Sequence, residues 1–173
     1  MVGDSHDGPN AAGSPLSEPW RQLHRYWLSK HVDGRPPSRK DIDPAIDLPH
    51  LAANLLIADV VPEGYRYRLV GSAVVERHKQ EMTGKLAGSS QFMQRVRPQL
   101  FENYDAVRTE QKPRLVKTGA AAADYARAQT IILPLVAKTG ETEMLLVGVF
   151  YDRRFEAIDQ IDYLTVSYPS LDS

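Results

Sequence analysis

Cysteine is absent from all 173 residues. That excludes disulfides, thiolate metal sites, cysteine nucleophiles and chromophores linked through cysteine. It also fits a reducing compartment. No stretch approaches the roughly 18 apolar residues of a membrane helix, and residues 1–16 lack the apolar centre of a signal peptide. The cytoplasm is the expected location. Charge of one sign is missing too. Lys+Arg is 21 against 22 Asp+Glu, a net of -1, so nothing drives the chain toward nucleic acid or a membrane surface. Histidine is sparse: His6, His24, His31, His50 and His78 are the whole set.

The usual catalytic patterns are missing as well. His24 and His31 share a predicted helix face, but no further ligand is spaced to complete a metal site. His78 and Glu81 do not form His-Glu-x-x-His. Gly84-Lys85 and Gly88-Ser89-Ser90 lack phosphate-loop spacing, and no Gly-x-Ser-x-Gly occurs. Asp41 and Asp43 stand where helix capping accounts for them. The expectation is a protein that is not an enzyme.

What is present is ordinary globular composition, 42% hydrophobic and 25% charged, enough for one core in one domain. Two apolar runs, Ala128–Ala137 and Glu143–Asp152, flank a short polar break containing Gly140. Both are rich in β-branched and aromatic residues and read as an antiparallel hairpin. Each carries apolar groups on both faces, so both faces are expected to be covered.

Residues 1–15 are Gly, Ser, Pro, Asp and Asn with little to bury, a disordered tail by composition. A helix is predicted from Ser14 or Ser17 to about Lys30, with Leu16, Trp20, Leu23 and Trp27 on one stripe. That stripe must dock on the chain's own sheet or on a second copy. Residues 32–40 form a Pro-rich, basic connector, read as irregular, whose arginines could meet an anion. Asp43-Pro44 reads as a helix start. Strands are predicted at Asn54–Val61 and Tyr65–Gly71, and a helical turn or two at Ser72–Lys79. A helix is predicted at Ser89–Glu110, broken or kinked at Pro98. A third strand follows at Arg114–Ala123, closed by a turn at Asp124-Tyr125. Residues 153–173 form a C-terminal extension with Phe155, Ile158, Ile161 and Leu164 three apart.

The resulting order is β-β-α-α-β-β-β behind a leading helix, an α+β domain over 41–152. Particular residues follow a known pattern. These are Tyr26-Trp27, the run Arg35-Pro36-Pro37-Ser38-Arg39, Asp41-Ile42-Asp43-Pro44, Arg68-Leu69-Val70-Gly71, Thr83-Gly84-Lys85, Lys112-Pro113 and Ile132-Leu133-Pro134-Leu135. In this order they resemble a PAS domain of the alphaproteobacterial, stand-alone type, over about Trp20–Asp152.

That resemblance implies a five-stranded antiparallel sheet with helices on one face, preceded by the N-terminal helix. It implies a sensory or signalling module acting by protein–protein contact, with a homodimer through Leu16, Trp20, Leu23 and Trp27, and a signalling protein as a further partner. It also implies a small-ligand cavity between sheet and helices, for which Arg68, Phe101, Tyr104, Tyr125, Leu133 and Val147 are the candidate lining. The cofactor is unknown. Haem is disfavoured because PAS haem sensors take a histidine from the long helix, and Ser89–Glu110 has none. No Asn/Gln cluster marks a flavin. A ligand carrier is the alternative, and an isomerase on a curved sheet the remote one.

Overall fold

The computed structural model describes residues 19–90, 93–118 and 127–152. Helix α1 (Pro19–Ser29) has Pro19 in its first turn and buries Trp20, Leu23, His24 and Trp27. Its expected cap at Ser14 or Ser17 lies outside the described residues. The connector after it is not wholly irregular. Val32 and Arg35 exchange backbone hydrogen bonds of 3.3 and 3.0 Å, and Arg39–Asp41 closes a 3-10 turn. Ser38 drives that turn, because its N–H and hydroxyl both donate to Asp41 Oδ2, at 2.9 and 2.6 Å. Helix α2 (Pro44–Asp47) starts as expected, with Asp43 Oδ1 accepting from Ile46 N and Pro44 at a position that needs no donor.

A second 3-10 segment, Pro49–Asn54, leads into β1 (Leu55–Val61) and β2 (Gly64–Val70). Helices α3 (Ser72–His78) and α4 (Met93–Glu110) follow, then β3 (Arg114–Thr118), β4 (Arg127–Val136) and β5 (Thr142–Asp152). Pro98 does not break α4. It stands near the start, where the missing N–H costs one bond and the solvent-facing chain tolerates it. The expected end of the third strand and the turn at Asp124-Tyr125 lie outside the described residues.

The strands form one antiparallel sheet in the order β2-β1-β5-β4-β3. β5 is central, paired with β1 on one side and β4 on the other. One face carries Leu55, Ile57, Ile131, Leu133, Leu135 and Leu146 against Trp20, Leu23 and Trp27 of α1. The opposite face carries Leu56, Tyr65, Tyr67, Ile132, Leu145 and Val147 against Val74 of α3 and Tyr104 and Val107 of α4. The all-apolar reading of the hairpin therefore has its cause: strands β4 and β5 are walled on both sides. Gly148 of β5 makes the close approach of α1 possible, since a Cβ there would lie 2.7 Å from Leu23 Cδ2.

Candidate functional site

Alternation along β2 turns Tyr65 and Tyr67 to the α4 face and leaves Arg66 and Arg68 exposed. Alternation along β5 brings Tyr151 to the same side as Leu145 and Val147. α4 adds Phe101 and Tyr104, one helical turn apart. The rings meet edge to face. Tyr65 lies 5.0 Å from Tyr104 and 5.6 Å from Phe101 between centroids, geometries that favour aromatic pairs beyond their buried area.

The phenol hydroxyls are arranged in order. Tyr65 donates to Asp105 Oδ1 at 2.6 Å. Tyr104 donates to the Tyr67 hydroxyl, and burial pushes both phenols above their ordinary range. The Tyr151 hydroxyl is buried without a partner among the described residues. Burial lifts it to about 12, and Arg77, whose guanidinium lies 5.8 Å from the ring centroid, acts the other way. At neutral pH every one of these phenols carries its proton. The face thus offers neutral donors and acceptors in an apolar wall, suited to orienting a guest rather than to proton abstraction. No group of three or more His, Cys, Asp or Glu among the described residues is placed to hold a metal ion.

The residues singled out from sequence divide sharply. Phe101, Tyr104 and Val147 do meet on the α4 face. Leu133 does not, because it pairs with Leu146 and faces α1 across the sheet. Arg68 is exposed on the sheet. Its guanidinium donates to both Asp59 carboxylate oxygens, at 2.9 and 3.1 Å, on the outer surface. It follows the inward Tyr67 in β2, at the irregularity where Ala58 pairs with Tyr67 and Ile57 with Leu69, and it turns outward there. Tyr125 lies outside the described residues. Tyr65, Tyr67 and Tyr151 were not singled out, although their spacing within β2 and β5 contained the signal. His78 ends α3, half-buried, and burial lowers its pKa.

The α1 stripe packs on the chain's own sheet. Trp20, Leu23 and Trp27 are 3%, 0% and 2% exposed, and Trp27 Nε1 donates to the Pro134 carbonyl at 2.9 Å. These three docked on the chain's own sheet, so with α1 in place they offer no surface to a second copy. Leu16 lies outside the described residues. His24 lies beside them, stacked on Trp27 at 6.0 Å, with Nε2 buried and unpartnered. Burial lowers its pKa, and His31 and Arg21 act in the same direction.

A family profile described as a PAS domain matches residues 16–150. The chain belongs to the PAS domain family. The PAS match includes α1 and the connector as well as the sheet. Some solved structures are similar to this PAS domain at low identity. The light state of the blue-light photoreceptor Aureochrome1 LOV has 10% identity and a TM-score of 0.42, covering 65% of this chain and 91% of that one. An RNA-binding Light-Oxygen-Voltage receptor has 15% identity and a TM-score of 0.44, covering 69% of this chain and 36% of that one. A fungal LOV domain photoreceptor has 12% identity and a TM-score of 0.42, covering 86% of this chain and 100% of that one. No curated protein matches. Membership of the PAS family supports a sensory signalling role. No helix among the described residues is long and apolar enough to cross a membrane.

Proposed function

We propose that this PAS domain is a signalling module acting by protein–protein contact, with the tyrosine-lined face as its input side and α1 as its output element. One observation carries the reading. Strands β4 and β5 wall both faces, with Ile132 and Val147 toward the tyrosines and Ile131 and Leu146 toward α1. A shift of these strands on one side alters packing on the other, because a close-packed interior transmits displacement. α1 suits an output role. Its 11 residues are too few for a stable isolated helix, so its order depends on the sheet beneath it.

The homodimer belongs to this proposal, with a changed contact. Since α1 covers β4, β5 and the Leu55–Ile57 start of β1, the rest of that face along β2 is the candidate, around exposed Leu69 and Arg66. A small-ligand receptor is the second reading, supported by the orphan Tyr151 hydroxyl beside the Tyr67–Tyr104 pair. Native mass spectrometry of the purified protein addresses both. A dimer that Leu69→Arg converts to monomer supports the contact. A strict monomer at every concentration contradicts it. Mass beyond the chain that disappears in Tyr151→Phe supports the receptor, and a chain purified without added mass weighs against it.

A further inference from the structure

Away from the tyrosines, a groove of about 550 Å³ opens between the connector and the β4–β5 turn. Its size is that of an ordinary ligand cleft. Both walls are held in place. On the connector side stand the Val32–Arg35 backbone pair and the Ser38–Asp41 hydrogen bonds. On the other side, Gln111 Nε2 donates to the Gly140 carbonyl at 2.7 Å, and Gly140 N donates to Ala137 O. Across the floor, Val136 N donates to Pro37 O at 2.9 Å. The shape is preorganised, which lowers the ordering cost of binding.

The cations of this region fall into two sets. Arg39 Nη1 donates to the Ile42 carbonyl, and Lys30 pairs with Asp47 at 3.5 Å. Arg35, Lys40 and Lys138 also line the groove, are exposed, and make no ion pair among the described residues. The hydrogen bonds from Ser38 lower the Asp41 pKa, and Lys40 adds to this only in a minor way. Between the cations lie Val32, 69% exposed, and Pro36. Among the described residues, this apolar bed and its rim of exposed cations have no covering segment.

We infer that this groove receives an extended acidic segment of a partner protein, with carboxylates on Arg35, Lys40 and Lys138 and one apolar residue on Val32 and Pro36. Charge complementarity argues for an anion, and the remaining lining argues for a peptide. Asp33 and Asp41 stand among the cations, so the positive points are interrupted, which suits spaced carboxylates of an extended peptide better than the closely spaced charges of a phosphate backbone. Among the described residues, no aromatic side chain lines the groove to stack a base. A net charge of -1 adds no long-range pull on a polyanion. The groove lies apart from the tyrosines and from α1's buried stripe, so the inference holds whatever those do.

The test uses the full chain and a short fluorescein-labelled peptide of Glu and Asp around one Leu, followed by anisotropy at low salt. Saturable binding is expected, weakening as salt rises. The Arg35→Glu/Lys40→Glu/Lys138→Glu variant should bind about tenfold weaker or worse, mainly through slower association. Circular dichroism checks its fold. Arg35→Gln and Lys138→Gln, each at an exposed site, give smaller losses that do not depend on the triple variant folding. No saturable binding, or unchanged binding by these variants, overturns the inference. So does displacement of the peptide by inorganic phosphate or single-stranded DNA at equal charge concentration. A dimer that dissolves in the triple variant would assign the groove to a second copy and overturn it as well.

Discussion

His24 is a buried imidazole whose Nε2 has no hydrogen-bond partner among the described residues. Burial, then His31 and Arg21, hold its pKa below the ordinary 6.5, and burial does the same at His78. Below 6.5 the unfolded chain takes up protons that the native state resists, so unfolded protons exceed native ones and stability falls with pH. The loss begins as pH drops through 6.5 and continues toward the lowered native values. Urea midpoints from neutral to about pH 5 should fall, and His24→Gln should flatten part of that slope. Identical slopes in the two proteins would show that His24 contributes nothing. Trp27 supplies a second case. Trp27→Phe leaves the Pro134 carbonyl without its donor, which should cost about 1–3 kcal/mol in denaturant melts. At this scale the sequence was only partly legible. The period of two pairs Tyr65 with Tyr67 and Arg66 with Arg68, but not which pair turns inward. The tyrosines do, because their rings fill the space against α4 while the Arg66 guanidinium donates to the Gly84 carbonyl and that of Arg68 to the Asp59 carboxylate. Leu133 shows the same gap: apolar on both sides of β4, its face is decided only by pairing.

Elements are where the sequence speaks most clearly. Strand and helix order follow from period and turn chemistry, and α2 begins at Asp43-Pro44 as the capping rules require. The 3-10 turns at Arg39–Asp41 and Pro49–Asn54 are not legible, because no period marks so short a segment. The stripe of α1 is legible, but its partner is not, since a Trp stripe fits a sheet of the same chain or of another. Gly148 decides it locally by letting Leu23 sit against β5. Gly148→Val should therefore press on Leu23, cost about 1–3 kcal/mol and loosen α1. Hydrogen exchange should rise over residues 19–30 more than in β1. Unchanged α1 protection would mean that the helix docks without this close approach.

On the scale of the whole molecule, one sheet separates two cores that share β4 and β5. The tyrosine face and the α1 face cannot repack independently if the strands between them move as one layer. The basic groove lies at a third place, where the connector meets the β4–β5 turn, and Val136 at the end of β4 is part of its lining. The central claim is the coupling between faces. It is tested most directly by hydrogen exchange of α1 in Val147→Ala, a cavity on the tyrosine face at a residue 1% exposed in β5. Val74→Ala in α3, 2% exposed on the same face but off the sheet, corrects for general loss of stability. If the sheet couples the faces, Val147→Ala speeds exchange across residues 19–30 well beyond Val74→Ala at matched stability. Equal α1 exchange in the two variants would contradict the account.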